Sequence, residues 1–394
     1  MTQRLYYTDS FLREFDARVV SCEERGEHFE VVLDRTAFYP TSGGQPNDTG
    51  QLGAARVVDV FEREDDHAIV HVATEPVLPG PVHGTIDWER RFDHIQQHTG
   101  QHLLSAAFFQ RFHFPTMSFH LGREICTIDL DAPSVVPRHL VEAERLANEI
   151  IFDDRPITVS FREREELAAL GVRKQVDREG TLRILEIAEF DKQPCGGTHA
   201  ARTGQVGMIL VRKVERQKQF WRVEFVCGGR ALGAARADFE NLGAAARDIG
   251  CGMAEVPVMV TKMLDERKSA HREQSRLSER LAELEAKALL EGPDRTIVRA
   301  FDEADAAFLR QTAARLVTEP GVRALLAGRN SRHFVFAQNR GGASDMNRLL
   351  RETLTPAGGK GGGSRDFAQG TVPEAANLDE LLAKARELLG PEKA

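Results

Sequence analysis

Two short stretches of the chain concentrate metal-binding side chains: His98-Thr-Gly-Gln-His102 and, further along, Cys195-Gly-Gly-Thr-His199. Each holds its two ligands at a four-residue offset. On a helix that offset places both imidazoles of the first pair on one face. The second pair reads as a turn, in which Gly196 and Gly197 let the backbone curl until Cys195 and His199 face one ion. Two nitrogens from one segment, with a sulfur and a nitrogen from another, form a tetrahedral set suited to Zn2+, one ion per chain. Either pair alone is weak, because chance and satisfied core histidines often produce such spacings. Together they make a metal site the leading reading. Four protein ligands would close the site and make it structural, so a catalytic ion requires one ligand, His199 first, to yield. Spacing does not separate the two roles.

A second polar cluster lies upstream. Thr36-Ala37-Phe38-Tyr39-Pro40 runs into Gly43-Gly44-Gln45-Pro46-Asn47-Asp48-Thr49-Gly50. Gly43 and Gly44 can offer backbone N–H groups to a substrate, Gln45 is placed to orient a water or a ribose, and Asp48 reads as the cap of the turn. His94 stands one turn before the ligand pair, either as a partner to it or at the surface.

These motifs, in this order, resemble the editing domain shared by alanyl-tRNA synthetases and the free-standing AlaX family. The resemblance rests on His98-Thr99-Gly100-Gln101-His102-Leu103-Leu104, on Cys195 through His199, and on the glycine motif, and it covers residues 5–230. A second match joins Gly358-Gly359-Lys360-Gly361-Gly362-Gly363 and Ala368-Gln369-Gly370 to the DHH-associated domain that ends the synthetases and the long AlaX form. The resemblance implies a trans-editing aminoacyl-tRNA deacylase. It implies mischarged tRNA(Ala) as partner, chiefly Ser-tRNA(Ala), with Gly-tRNA(Ala) as a second candidate. It carries zinc binding onto His98, His102, Cys195 and His199, and the family's hydroxyl-sensing threonine onto Thr36. His120 stands where synthetases tend to have a glutamine-containing stretch, which leaves the general base open.

Selectivity is then the hard physical problem. Alanine is smaller than serine, so no pocket that admits serine excludes alanine by size. A buried polar group must pair with the seryl hydroxyl and be left unpaired by a methyl, a difference worth roughly 10⁴-fold. Thr36 is the candidate for that group, with Gln45 the other polar candidate at the site; an ordinary β-branched strand residue is the plain alternative for Thr36.

The 394 residues are too many for one ordinary core and predict two or three domains. Hydrophobic content of 41% and charged content of 28% are those of a globular protein without membrane spans. The first twenty residues carry charges throughout, so no secretory signal is expected, and the five cysteines show no disulfide framework. A cytoplasmic location follows as the expectation. A net charge of −8 is not that of a generic nucleic-acid binder, so tRNA would have to meet local basic patches. Two present themselves: Arg212, Lys213, Arg216, Lys218 and Arg222 with Phe220 and Trp221, and the arginines 323, 329, 332, 340, 348 and 351.

The elements that must position these groups predict an α+β fold. Residues 1–90 alternate with period two in His28–Arg35 and His67–Val72 and read as a β-barrel-like module. Residues 91–250 form the zinc-binding editing domain, with a helix carrying His98 and His102, a second helix over 137–152, and an extended segment at 156–161. A short helix follows, then a buried strand at 182–188 that leads straight into the Cys195 turn. Gly100 inside the first helix costs about 1 kcal/mol against alanine, which points to something packed close against it. Residues 251–291 are a long helical linker in which Met263, Ala270, Leu277, Leu281, Leu284 and Ala288 mark a heptad seam, for a coiled coil between chains or an intramolecular hairpin. Residues 292–394 form a small α/β domain. The run 358–363 is no P-loop, since Lys360 is followed by glycine; it permits close approach of a phosphate or a backbone. A homodimer through 255–394 is a further expectation. The chain opens on the β module, so no aminoacylation core is expected, and the absence of an Asp-His-His triplet disfavours a phosphoesterase. The remaining alternative is a non-catalytic zinc-containing tRNA-binding protein.

Overall fold

The computed structural model describes residues 2–166, 171–173 and 180–390. It divides into two compact units, Met1–Ala244 and Ala245–Ala394.

The first unit opens with strands β1 (Gln3–Arg4), β2 (Glu14–Arg25), β3 (His28–Leu33), β4 (Arg35–Thr36), β5 (Gly50–Leu52), β6 (Ala55–Glu62), β7 (Ile69–Ala73) and β8 (Gly80–Ile86). Six of them close into a barrel in the order β2-β3-β7-β6-β5-β8, and β1 pairs in parallel with β4. Period two builds the barrel wall: Phe15, Ala17 and Val19 are buried, while Glu14, Asp16 and Arg18 are exposed. Gly84 is needed beneath Phe15, since a Cβ there would lie 2.4 Å from the ring.

The chain then enters α1 (Trp88–Phe112). Asp87 caps it by accepting from Arg90 N, and His113 ends it in the left-handed conformation at φ 57°. Most of α1 is buried, so it is a core helix more than an amphipathic one. Gly100 has the close neighbour its position implied: an added Cβ would sit 2.2 Å from Cys227 Sγ. Around α1 pack α2 (Pro137–Phe152) and an antiparallel sheet of β9 (Thr116–Leu121), β10 (Cys126–Leu130), β14 (Ile209–Gln217) and β15 (Phe220–Cys227). Ile95, Leu103, Leu104 and Phe108 share one core with Ala143, Ala147 and Ile150 of α2 and with Ile128, Val223 and Phe225 of the sheet. A second sheet joins β11 (Ile157–Glu163), β12 (Thr181–Ile187) and β13 (Asp191–Pro194). The strand expected to run straight into Cys195 therefore turns back first, and β13 delivers the cysteine. Of the short helix expected before Leu182, one 3-10 turn at Arg164–Glu166 is seen; the rest lies outside the described residues. A helix at Gly228–Ile249 follows β15.

The barrel is tied to α1 by a buried ion pair. Arg91 is fully buried and its guanidinium forks onto Asp48, while its remaining N–H groups donate to the carbonyls of Ser10 and Ala37. Asp48 also accepts from Tyr39 N at 2.6 Å, so it caps the glycine turn and anchors it to the helix at once.

The second unit holds a five-stranded sheet of Thr296–Phe301, Arg323–Gly328, His333–Gln338, Phe367–Thr371 and Lys360–Gly363, in that spatial order. Helices Ala306–Leu316, Met346–Leu354 and Leu378–Leu389 complete the α/β unit. The glycine-rich run is an edge strand, and what approaches it is backbone: a Cβ on Gly361 would meet Gln369 O at 2.6 Å. Val256–Leu290 forms one helix, but its heptad seam is not its packed face. Ala282 and Ala286 are buried against Phe308, Leu309 and Ala313, whereas Met263, Leu277, Leu281 and Leu284 are exposed. Small residues let the helices approach closely; the larger seam residues are exposed within the single chain.

The expected basic patches are neutralised only in part. Arg212 pairs with Asp238, Arg222 with Asp129, Arg329 with Asp379, and Arg348 with Glu352.

Candidate metal centre

The four sequence-predicted ligands come together. One donor atom from each of His98, His102, Cys195 and His199 lies within 4.8 Å of the others. His98 and His102 reach the point from one face of α1, and Cys195 and His199 from the turn after β13. His199 Nε2 lies 3.1 Å and His98 Nε2 3.5 Å from Cys195 Sγ. The turn depends on its glycines: a Cβ on Gly197 would lie 2.1 Å from His98 Cε1 and 2.9 Å from Gln45 Oε1.

Each imidazole is held from behind. His98 Nδ1 lies 2.7 Å from Gln45 Oε1, which also accepts from Thr198 N, while Gln45 Nε2 donates to Thr198 Oγ1 at 2.8 Å. The backbone donor identifies Oε1, so His98 carries its proton on Nδ1 and turns the Nε2 lone pair to the centre. His102 Nδ1 meets the Gln193 amide, with Asp191 Oδ2 at 3.8 Å behind it and Arg173 paired to that carboxylate. Thr99 Oγ1 stands 3.4 Å from His199 Nδ1 and accepts from Ala200 N. Arg183 clamps the turn, donating to the carbonyls of Cys195, Gly197 and Tyr7.

Whether these residues fit a metal ion can be tested on the inward-facing atoms. His102 Nε2 is buried and makes no hydrogen bond. Burial pushes the Cys195 thiol up, but the three imidazoles outweigh it and hold the thiol well below its usual range. Burial holds His98 and His199 down. For His102 burial also pulls down, yet Cys195 and Asp191 together raise it to about 9. Three imidazoles around a thiolate, each fixed by an outer hydrogen bond, make a donor set that suits zinc.

The other sequence candidates fall in different places. Gln45 is buried, with its amide given to His98 and Thr198. Gly43 and Gly44 form an exposed turn at φ 55° and 86°, and their N–H groups make no hydrogen bond among the described residues. Phe119 links this turn to the centre: it packs against Gly44 and lies 5.1 Å from the His98 ring. Thr36 is enclosed in the barrel. Its Oγ1 is 2.8 Å from His71 Nε2 and accepts from Phe38 N at 3.0 Å. His94 is neither a surface residue nor a partner to the ligands; it is buried, its Nδ1 has no hydrogen bond, and burial holds it down to about 4. His120 is exposed.

Sequence reading missed Gln193, Asp191, Thr198, Arg183, Arg91 and His71. A signal existed for two of them. Asp191 and Gln193 are the buried positions of a period-two strand that ends at the ligand turn.

Two cavities meet at Cys195. One, of about 300 Å³, is lined by Gln101, His102, Thr116, Ser118 and Phe119. The other, of about 680 Å³, is lined by Arg4, Tyr7, Arg183, Pro194 and Gly196.

Comparison with known proteins completes the picture. Residues 182–224 match the threonyl and alanyl tRNA synthetase second additional domain, and residues 294–390 match the DHHA1 domain. The alanyl-tRNA editing protein AlaX-L of Pyrococcus horikoshii is 32% identical over 99% of this chain and 98% of its own length. The alanine–tRNA ligases of Thermococcus kodakarensis and Halobacterium salinarum are 31% and 34% identical over 99% of this chain, which spans 44% of each ligase. A structure of RecJ in complex with Mn2+ from Thermus thermophilus covers 34% of this chain and 19% of its own at 18% identity and a TM-score of 0.23. By its end-to-end match, the chain belongs to the AlaX-L family of alanyl-tRNA editing proteins.

Proposed function

We propose that this chain is a trans-editing, zinc-dependent aminoacyl-tRNA deacylase that hydrolyses the ester of mischarged tRNA(Ala), chiefly Ser-tRNA(Ala) and also Gly-tRNA(Ala). The observation that carries the reading is the convergence of His98, His102, Cys195 and His199 where two cavities meet. The match to AlaX-L over nearly the whole of both chains supports the same reading.

The aminoacyl ester is already activated, so the protein's task is to place it. His98, His102 and Cys195 would hold the ion, and with His199 yielding its place the ion would supply Lewis-acid polarisation of the ester carbonyl. Gln45 keeps the His98 proton on Nδ1 and holds the ring in place through Thr198. Gly43 and Gly44 offer backbone donors without a partner among the described residues, and Phe119 packs between their turn and the His98 ring. Thr36 is the candidate hydroxyl reader; with its donor given to His71 and one lone pair to Phe38 N–H, it can only accept from a substrate. Residues 255–394 serve tRNA capture or homodimerisation.

Purified protein offered Ser-, Gly- and Ala-tRNA(Ala) should deacylate the first two and largely spare the third. No hydrolysis of any of them sinks the reading; binding without turnover would leave a non-catalytic tRNA-binding protein in its place.

A further inference from the structure

The second unit holds a cavity of about 710 Å³ at one end of its sheet, with Arg323, Gln338 and Arg340 in its wall. Arg323 opens the strand Arg323–Gly328 opposite Gln338, which closes His333–Gln338. The loop that follows, Asn339-Arg340-Gly341-Gly342-Ala343-Ser344, is braced on that buried glutamine. Gln338 Nε2 donates to Ser344 O at 2.6 Å and to Asp366 Oδ1 at 2.9 Å, and its Oε1 accepts from Ser344 N at 3.3 Å. Gly342 packs on the same amide, where a Cβ would lie 2.6 Å from Gln338 Cδ. The loop is thus held in shape, yet the cations beside it are not used up. Arg323 Nη2 donates to Thr296 Oγ1 at 2.6 Å, while Arg323 Nε is buried without a partner. Arg340 is exposed and makes no hydrogen bond or ion pair among the described residues. The nearby carboxylates are already engaged: Asp366 accepts from Gly341 N and Gln338, and Asp345 caps the next helix through Arg348 N. A buried guanidinium N–H without an acceptor is costly, and a bound anion removes that cost.

We propose that this cavity binds a small phosphorylated ligand of the mononucleotide class, with Arg323 and Arg340 as donors to its phosphate. The proposal goes beyond the deacylase reading and does not rest on it. A phosphate ester brings acceptors and negative charge together, which two guanidiniums can share. The volume is that of a small-molecule site and exceeds what a phosphate alone fills. Pro320, Val322 and Leu389 give the remainder an apolar wall, which suits a base better than a bare sugar. Arg329 and Arg348 are held by Asp379 and Glu352. The free cations at the loop therefore make a point for one phosphate, not a track for a polynucleotide backbone.

The test is calorimetric titration of the full chain, at one fixed salt concentration, with adenosine 5′-monophosphate, adenosine, inorganic phosphate and tRNA(Ala). Wild type should bind the monophosphate at one site per chain and more tightly than either adenosine or inorganic phosphate. Arg323→Met and Arg340→Ala should each weaken that binding about 10- to 100-fold, the loss expected for a hydrogen bond to a charged group. Thermal melting accompanies each variant. Should Arg323→Met unfold, Arg340→Ala, at an exposed position, decides by the same affinity. No binding of the monophosphate at about 1 mM overturns the proposal. So does adenosine binding as tightly as the monophosphate, or undiminished affinity in folded variants. A monophosphate that does not bind, with tRNA(Ala) binding weakened by Arg340→Ala, overturns it too and gives these arginines to the RNA backbone instead.

Discussion

The first unit buries histidines in two settings that look alike by exposure and differ in how their nitrogens are used. In the barrel, His71 Nδ1 donates to Val31 O at 3.0 Å and Nε2 accepts from the Thr36 hydroxyl, which in turn accepts from Phe38 N. Every polar atom there has a partner, and burial keeps the ring neutral, with its pKa lowered to about 4. At the metal centre the outer nitrogens of His98, His102 and His199 all face a polar partner, but the inner ones crowd the sulfur of Cys195, and His102 Nε2 has none. A closed network stabilises the fold it sits in. A network saturated on the outside and unsatisfied on the inside carries a desolvation cost of about 1–3 kcal/mol per orphaned group, which ligand binding can offset. Convergence on Cys195 Sγ, more than burial or an orphaned nitrogen, sets the candidate ligands apart, since His94 is also buried with an unpartnered Nδ1.

That contrast can be broken most directly at Cys195. Cys195→Ala should reduce metal from about one ion per chain to almost none and lower thermal stability, because an ion at this centre would join α1 to the turn after β13. Unchanged metal content by elemental analysis would remove the centre from the molecule's chemistry.

The barrel histidine predicts a pH effect of the opposite kind. Its folded pKa of about 4 lies below the ordinary value of 6.5, so the unfolded chain takes up the proton first as pH falls. Stability from this group is fully present above pH 6.5 and is lost as pH drops towards and through 4, about 3 kcal/mol in all. Denaturation curves of wild type and His71→Gln should converge across that window; parallel curves would show that His71 is not the neutral, closed group described.

Smaller effects test the outer hydrogen bonds. Gln45→Leu or Gln193→Leu should weaken metal affinity about 10- to 100-fold while leaving the four ligands in place. Affinity equal to wild type by competition with a chelator would mean that the outer partners do not orient the rings. Thr36→Val is expected to cost about 1–2 kcal/mol, since Phe38 N and His71 Nε2 both lose a buried partner. The same variant decides whether Thr36 also reads substrate: a shrunken Ser:Ala ratio says yes, and a stability loss with the ratio intact confines Thr36 to the barrel.

The ligand pairs were legible because their information is local. A four-residue offset on a helix and a Gly-Gly turn set the mutual placement of two side chains whatever the rest of the chain does. The same holds for the period-two wall of the barrel and for the close neighbour that Gly100 demanded. The roles of single polar residues were not legible, since they depend on partners far away in sequence. Gln45 meets Thr198 across 153 residues, His98 across 53, and Arg91 reaches Asp48 across 43. Nothing in the vicinity of Gln45 distinguishes a residue that orients a water from one that braces an imidazole; only the folded chain brings Thr198 N to its Oε1.

The heptad seam shows the limit from the other side. Met263, Leu277, Leu281 and Leu284 have coiled-coil spacing, yet the helix packs within its own unit through Ala282 and Ala286. Periodicity establishes that a helix forms and which stripe is apolar. Which stripe is covered depends on the shape of the neighbour, here the Ala306–Leu316 helix, whose close approach selects alanines over leucines. Sequence by itself determined the helix, the barrel alternation and the two pairs of candidate ligands, because each is set by chemistry within a few residues. Tertiary structure alone decided what stands behind each ligand, where Thr36 lies and which helix face is buried, because those depend on contacts that exist only once distant segments have packed.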